Sequence, residues 1–121
     1  MPLPVLVVDD SSMSRKLTIR AFPGDWDVEV SQASGGQEAL DAIERGLGHV
    51  VFLDLTMPGM SGFDVLAEIR RRGLDCFAVV VSADVQPKAE EQARQLGAMA
   101  FVRKPVKADA LHGVLREYGF L

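Results

Sequence analysis

Cysteine is nearly absent: Cys76 stands alone, so no internal disulfide can form and a packed core has to hold the fold. Heading an apolar run, it reads as a buried thiol. No apolar stretch is long enough to cross a bilayer. The opening MPLPVLVVDD lacks a basic n-region, and its apolar run stops at two aspartates, so it reads as a strand rather than a signal peptide. The expected location is the cytoplasm, with no membrane partner. Nor is positive charge in excess. The 17 acidic residues outnumber 13 basic ones, and a net charge of -4 repels a polyanion, so no direct nucleic-acid binding is expected. Repeats, low-complexity tracts and extended linkers are missing, and 121 residues leave no room for a second domain. Gly35-Gly36 lacks the G-x-G-x-x-G pattern of dinucleotide sites, and His49 and His112 have no accompanying ligand pattern and read as surface or capping residues.

What is present is a folded domain, 48% hydrophobic and 25% charged. Short, mostly β-branched apolar runs at Val5–Val8, Val28–Ala33, Val50–Leu53, Phe77–Val81 and Ala100–Val102 read as strands buried in a parallel sheet. The second run alternates, with Val28, Val30 and Gln32 against Glu29 and Ser31, and is expected at an edge with one wetter face. Trp26, in the polar turn PGDWD, is expected to be partly buried beside that strand.

Helical segments fill the gaps. The first begins after Ser11 or Ser12, with Met13, Leu17 and Ala21 on its inward face, and ends at Pro23-Gly24. The second follows Ser34-Gly35-Gly36 and turns Ala39, Leu40, Ile43 and Leu47 inward. The third starts at Ser61, three residues before Asp64 in a capping-box-like pair, with Phe63, Leu66 and Ile69 inward. Its closing Arg70-Arg71-Arg72 suits the negative end of the helix dipole. The fourth runs from Pro87 to Leu96 with Gly97 as its stop, and the fifth from Lys107 to Tyr118. Only Leu96 is large and apolar in the fourth, which should therefore be the easiest to shift.

Five β-α pairs imply an α/β fold, a doubly wound five-stranded parallel sheet with five helices, and ligands in such sheets bind beyond the carboxyl ends of the strands. Those ends carry Asp9-Asp10, Asp54, Ser82 and Lys104. Three carboxylates brought together repel one another unless a cation intervenes, and hard oxygen donors match Mg²⁺ (or Mn²⁺). A lysine and a hydroxyl beside them suit phosphoryl oxygens, so the set reads as a phosphoryl-transfer centre with a carboxylate nucleophile.

VLVVDDSS, VVFLDLTMPGMSG, VVVSAD and FVRKPV, in this order along the whole chain, resemble the receiver domain of two-component response regulators, the CheY-like family. The resemblance implies one receiver domain over residues 1–121 with a flavodoxin-like strand order 2-1-3-4-5. It implies phosphorylation of Asp54 by the phosphohistidine of a sensor histidine kinase or phosphotransfer protein. Asp9, Asp10, Asp54 and the Thr56 backbone carbonyl would hold the metal, and Lys104 the phosphoryl oxygens. Ser82 would move toward the phosphoryl group and draw in the loop bearing Ala83 and Asp84. Lys104-Pro105 matches a bond that is cis in the family, where Pro105 would aim the lysine, and Met57, Pro58, Gly59 and Met60 match the loop walling the site.

Phe101 occupies the family's switch-aromatic position; without a hydroxyl it fits either switching or passive core packing. Thr56 and Asp84 stand where phosphate lifetime is set, and a phosphatase is an expected partner. The output face would be the fourth helix, fifth strand and fifth helix, where Lys88, Arg94, Arg103 and Lys107 could meet a downstream protein. Two rival readings stand beside this one. Asp54-Leu55-Thr56 fits the nucleophile motif of Mg²⁺-dependent aspartyl-phosphate phosphatases, although that motif normally follows a first strand. A receiver-like adaptor that never carries phosphate is the other.

Overall fold

The computed structural model describes residues 2–84 and 86–121. Strands β1 (Leu3–Val8), β2 (Val28–Ala33), β3 (Val50–Leu53), β4 (Phe77–Ser82) and β5 (Ala100–Arg103) alternate with helices α1 (Ser12–Arg20), α2 (Gly36–Glu44), α3 (Gly62–Arg72), α4 (Pro87–Gln95) and α5 (Ala108–Glu117). All four strand pairings are parallel, and the sheet order is β2-β1-β3-β4-β5.

Strand lengths follow the neighbours available. β1 begins two residues before the apolar run because β2 reaches Leu3 and Pro4, whereas β3 pairs only from Val5. β4 and β5 each gain a residue through the Ser82–Arg103 pair. β2 is an edge strand, but its alternation is not reproduced. Val30 is exposed while Ser31 is partly covered, because an edge strand has a helix over only part of each face.

The central strands are buried on both faces and divide two cores. On one side α2, α3 and α4 cover Leu6, Val8, Val51, Leu53 and Val80. On the other, α1 and α5 cover Val5, Val7, Phe52, Val79 and Val81. Helix α3 has the full capping box: Ser61 Oγ accepts from the Asp64 N–H at 3.2 Å, and Asp64 Oδ2 accepts from the Ser61 N–H at 3.0 Å. It ends on Gly73 at φ 63°, a left-handed stop that glycine adopts without strain. Its inward face includes Val65 with Leu66 and Ile69, whereas Phe63 is half-buried. Helix α4 is anchored through Ala89 and Ala93, with Leu96 only partly buried, so little apolar area holds it.

Helix α1 departs from expectation. Met13 is 60% and Leu17 46% exposed, so neither belongs to the core. Ala21 is buried as expected, but it shares the covered face with Thr18, and Ile19 is half-covered. Thr18 tolerates burial because its hydroxyl donates to the Ser14 carbonyl at 3.2 Å, leaving no unmet polar group. Cys76 is half-buried rather than fully so, and burial followed by the neighbouring Asp75 charge pushes its thiol up to about 11. Trp26 is partly buried as expected. It packs edge-on against Phe22 and donates its indole N–H to the Phe120 carbonyl at 3.0 Å. His112 caps a helix end, its Nε2 lying 2.9 Å from the Ala21 carbonyl.

Candidate functional site

The site is built from backbone that continues the sheet's hydrogen-bond ladder past the strands. The Asp9 N–H donates to the Ala33 carbonyl at 3.1 Å, the Asp54 N–H to Val8 at 3.0 Å, and the Lys104 N–H to Ser82 at 2.9 Å. These bonds hold the three charged residues in register at one end of the sheet. With Asp10 following Asp9, an acidic cluster forms there: ligand oxygens of Asp9, Asp10 and Asp54 lie within 4.8 Å of one another. Asp9 and Asp54 are buried, whereas Asp10 is exposed at the rim.

Lys104 closes the group. Its Nζ donates to Asp9 Oδ2 at 2.8 Å and stands 3.5 Å from Asp54 Oδ1. Asp9 Oδ1 accepts the Ser11 N–H at 2.9 Å. Burial acts to raise the Asp9 carboxyl, but the Lys104 ammonium, then the Ser14 hydroxyl and the Ser11 N–H, overcome it and hold it below the usual aspartate range. Asp54 goes the other way. Burial pushes its carboxyl up and the Asp9 charge adds to this, against opposition from Lys104 and the Thr56 N–H. Of the two buried acids, Asp54 is thus the one less content to carry its charge alone. An oxygen-only donor set of three carboxylates with one exposed member fits a hard, partly hydrated cation such as Mg²⁺.

Around this centre the other expected residues are distributed unevenly. Ser82 is 1% exposed, and its Oγ accepts the Asp84 N–H at 3.1 Å, so the hydroxyl now serves its own loop rather than Asp54. Asp84 is exposed and accepts the Gln86 N–H at 2.9 Å. Thr56 and Pro58 are exposed on the loop after β3, with Met57 buried beneath them. Phe101 is half-buried and packs on the core under α2, α3 and α4. The Lys104–Pro105 peptide is cis.

Two contributors were not legible beforehand. Arg15, five residues beyond Asp10, donates from Nη1 to the Asp9 carbonyl at 2.7 Å and from Nε to Gln32 Oε1 at 2.8 Å. A cation so close after an acid pair was the available signal. Gly62 meets the acceptor's backbone directly: a Cβ there would lie 2.3 Å from the Asp54 carbonyl oxygen. Beside the site, Leu17, Ala83, Pro105 and Val106 line a largely apolar groove that ends at Lys104. It explains why Leu17 need not face the core.

Comparison with known proteins agrees with this architecture. The family model described as "Response regulator receiver domain" matches residues 5–116. The chain is 42% identical over 113 residues to a protein-glutamate methylesterase/protein-glutamine glutaminase 2 from Koribacter versatilis, covering 91% of this chain and 31% of that protein. It therefore spans about a third of that relative's length. Among solved structures, the signal receiver domain of a putative Luxo repressor protein from Vibrio parahaemolyticus superposes with a TM-score of 0.89 at 28% identity, over 98% of this chain and 90% of that one. The signal receiver domain of the putative response regulator NarL from Mycobacterium tuberculosis does so with a TM-score of 0.86 at 31% identity, over 97% and 95%. The family match starts inside β1, ends in the last turn of α5, and takes in every residue of the site, so the chain belongs to the response regulator receiver domains of two-component systems.

Proposed function

We propose that residues 1–121 act as one phosphorylation switch in which Asp54 accepts a phosphoryl group in a reaction assisted by Mg²⁺ (or Mn²⁺). The observation that carries this reading is the convergence of Asp9, Asp10 and Asp54 within 4.8 Å beside the Lys104 ammonium. Receiver domains exchange phosphoryl groups with histidine kinases and address downstream effectors. The donor here would be the phosphohistidine of a sensor histidine kinase or a phosphotransfer protein.

In the transfer, an Asp54 carboxylate oxygen bonds to phosphorus while the phosphorus–nitrogen bond to the donor imidazole breaks, its electron pair leaving with the ring. A bound cation would neutralise charge on the carboxylates and phosphoryl oxygens. Asp9, Asp10 and Asp54, with the Thr56 carbonyl, would hold it. Lys104 is placed to shift from Asp9 toward the new phosphoryl oxygens, giving a charge-assisted hydrogen bond. Ser82 accepts from Asp84 and keeps its own proton to donate. A hydroxyl drawn toward the phosphoryl group would pull the loop bearing Ala83 and Asp84, and α4, held by two alanines, is the element that yields. Thr56 and Asp84 flank the approach of hydrolytic water and would set the phosphate lifetime, together with any phosphatase. The switch then alters the face of α4, β5 and α5, where exposed Lys88, Arg94, Arg103 and Lys107 would meet a downstream protein rather than nucleic acid. The domain would assist its own phosphorylation and dephosphorylation without being a turnover enzyme. Among the described residues no helix is long and apolar enough to cross a membrane.

Donor docking has a surface at hand. Exposed Leu17 on α1 lines the apolar groove that runs with Pro105 and Val106 beside Lys104, and Met13 is exposed on the same helix. Such uncovered apolar area beside the site suits a partner that must bring its own reactive group to Asp54.

The test is incubation with Mg²⁺ and acetyl phosphate, followed by intact mass measurement of the parent and Asp54→Asn. The parent alone should gain an alkali-labile phosphate. Equal labelling of both, or none of the parent even with a cognate kinase, would sink the acceptor assignment. In NMR, the amides of Ser82, Ala83 and residues 86–106 should move on phosphorylation.

A further inference from the structure

We infer that Arg15 is a positioning residue for the metal-organising acids. Its guanidinium fixes the Asp9–Asp10 peptide and, through it, the Asp10 carboxylate, and so sets how tightly the site holds its cation. This inference rests on the metal-assisted reading of Asp9, Asp10 and Asp54.

The two acids are held very differently. Asp9 has every polar group engaged: its N–H on Ala33, its two carboxylate oxygens on Ser11 and Lys104, and its carbonyl on Arg15. Asp10 is exposed, and its carboxylate makes no hydrogen bond or ion pair among the described residues. Only backbone direction aims it at Asp9 and Asp54. That direction depends on the peptide plane joining Asp9 to Asp10, whose oxygen is the atom that Arg15 holds at 2.7 Å.

Arg15 is itself anchored twice. Its backbone N–H donates to the carbonyl of Ser11, the residue capping α1, at 3.0 Å, and its Nε donates to Gln32 on β2 at 2.8 Å. Gln32 is registered against Val7 of β1. The planar guanidinium offers its donors in a fixed fork, so two bonds in different directions orient the carbonyl relative to β2. A lysine ammonium keeps the charge but not the fork.

Charge and geometry make opposite predictions. By charge alone, a guanidinium bonded to the Asp9 carbonyl repels a divalent cation at the neighbouring carboxylates, and removing it tightens metal binding. If its work is positioning, removal loosens binding. Calorimetric titration of Mg²⁺ into the unphosphorylated 121-residue chain decides between them. Arg15→Met and Arg15→Lys are both expected to raise the Mg²⁺ Kd about 10-fold, the scale on which outer-shell partners act. Gln32→Met, at an exposed edge position where unfolding is not a concern, should shift it in the same direction by a smaller factor. Lys16→Met, removing an exposed neighbouring cation, should leave it unchanged. Tighter or unchanged Mg²⁺ binding in Arg15→Met, or full recovery by Arg15→Lys, overturns the inference. A parent chain that binds no Mg²⁺ brings down the metal-assisted reading itself.

Discussion

Lys104 is bonded to Asp9 rather than to Asp54: its Nζ lies 2.8 Å from Asp9 Oδ2 and 3.5 Å from Asp54 Oδ1. It acts as an internal counter-ion on an oxygen that a cation would also claim. Lys104→Met should therefore bind Mg²⁺ more tightly, by roughly 10-fold or ~1.4 kcal/mol, in calorimetric titration. Weaker binding would show that the ammonium is not a competitor.

Asp54 should cost the apo fold stability at neutral pH. Its carboxyl is raised above the ordinary 3.8, by burial first and the Asp9 charge next. Folding therefore favours the protonated form, whose benefit is complete below the unfolded value and is lost as pH rises through the folded one. Without divalent cations, Asp54→Asn should unfold at a higher temperature than the parent at pH 7, with the gap closing as pH falls below 3.8. Coincident melting curves at pH 7 would contradict this.

Gly62 is required by contact rather than by backbone angle. A Cβ there meets the Asp54 carbonyl oxygen at 2.3 Å and the Leu55 Cα at 2.7 Å, both backbone atoms that cannot step aside. Gly62→Ala is expected to destabilise by about 1–3 kcal/mol and to slow acetyl phosphate labelling by displacing the acceptor. Gly24→Ala, with nothing within 4 Å of the new methyl, should stay within about 0.5 kcal/mol of the parent in denaturant titration.

Leu17→Glu separates docking from chemistry. Leu17 is 46% exposed and lines the groove beside Lys104, so a charge there spoils an apolar contact without entering the core. Transfer from a phosphorylated cognate kinase should fall about 10-fold, a typical cost for one buried interface residue, while acetyl phosphate labelling is unaffected. Equal loss in both assays would place the defect in the acceptor site.

The strands and the site were readable for the same reason. A parallel sheet buried on both faces needs continuous apolar runs, and the polar residue that ends each run must lie at the carboxyl edge, which is where Asp9, Asp54 and Lys104 stand. Helix α1 misled because apolar spacing is a proxy for burial. Thr18 is buried through a bond to the Ser14 carbonyl, while Met13 and Leu17 stay outside. Arg15 was hidden because its meaning depends on Gln32, 17 residues away on another strand. Likewise Ser82 could be placed at a strand end from its run, but not its bond to the Asp84 N–H.

The single tryptophan stands at the amino-terminal end of the sheet, opposite Asp54, with its indole N–H on the Phe120 carbonyl. Its fluorescence therefore watches the seam between the α1–β2 turn and the residues after α5, and also Phe52 of β3, whose ring centroid lies 6.4 Å from its own. A change in emission on phosphorylation would be a message carried down β3 from Asp54 to that aromatic contact.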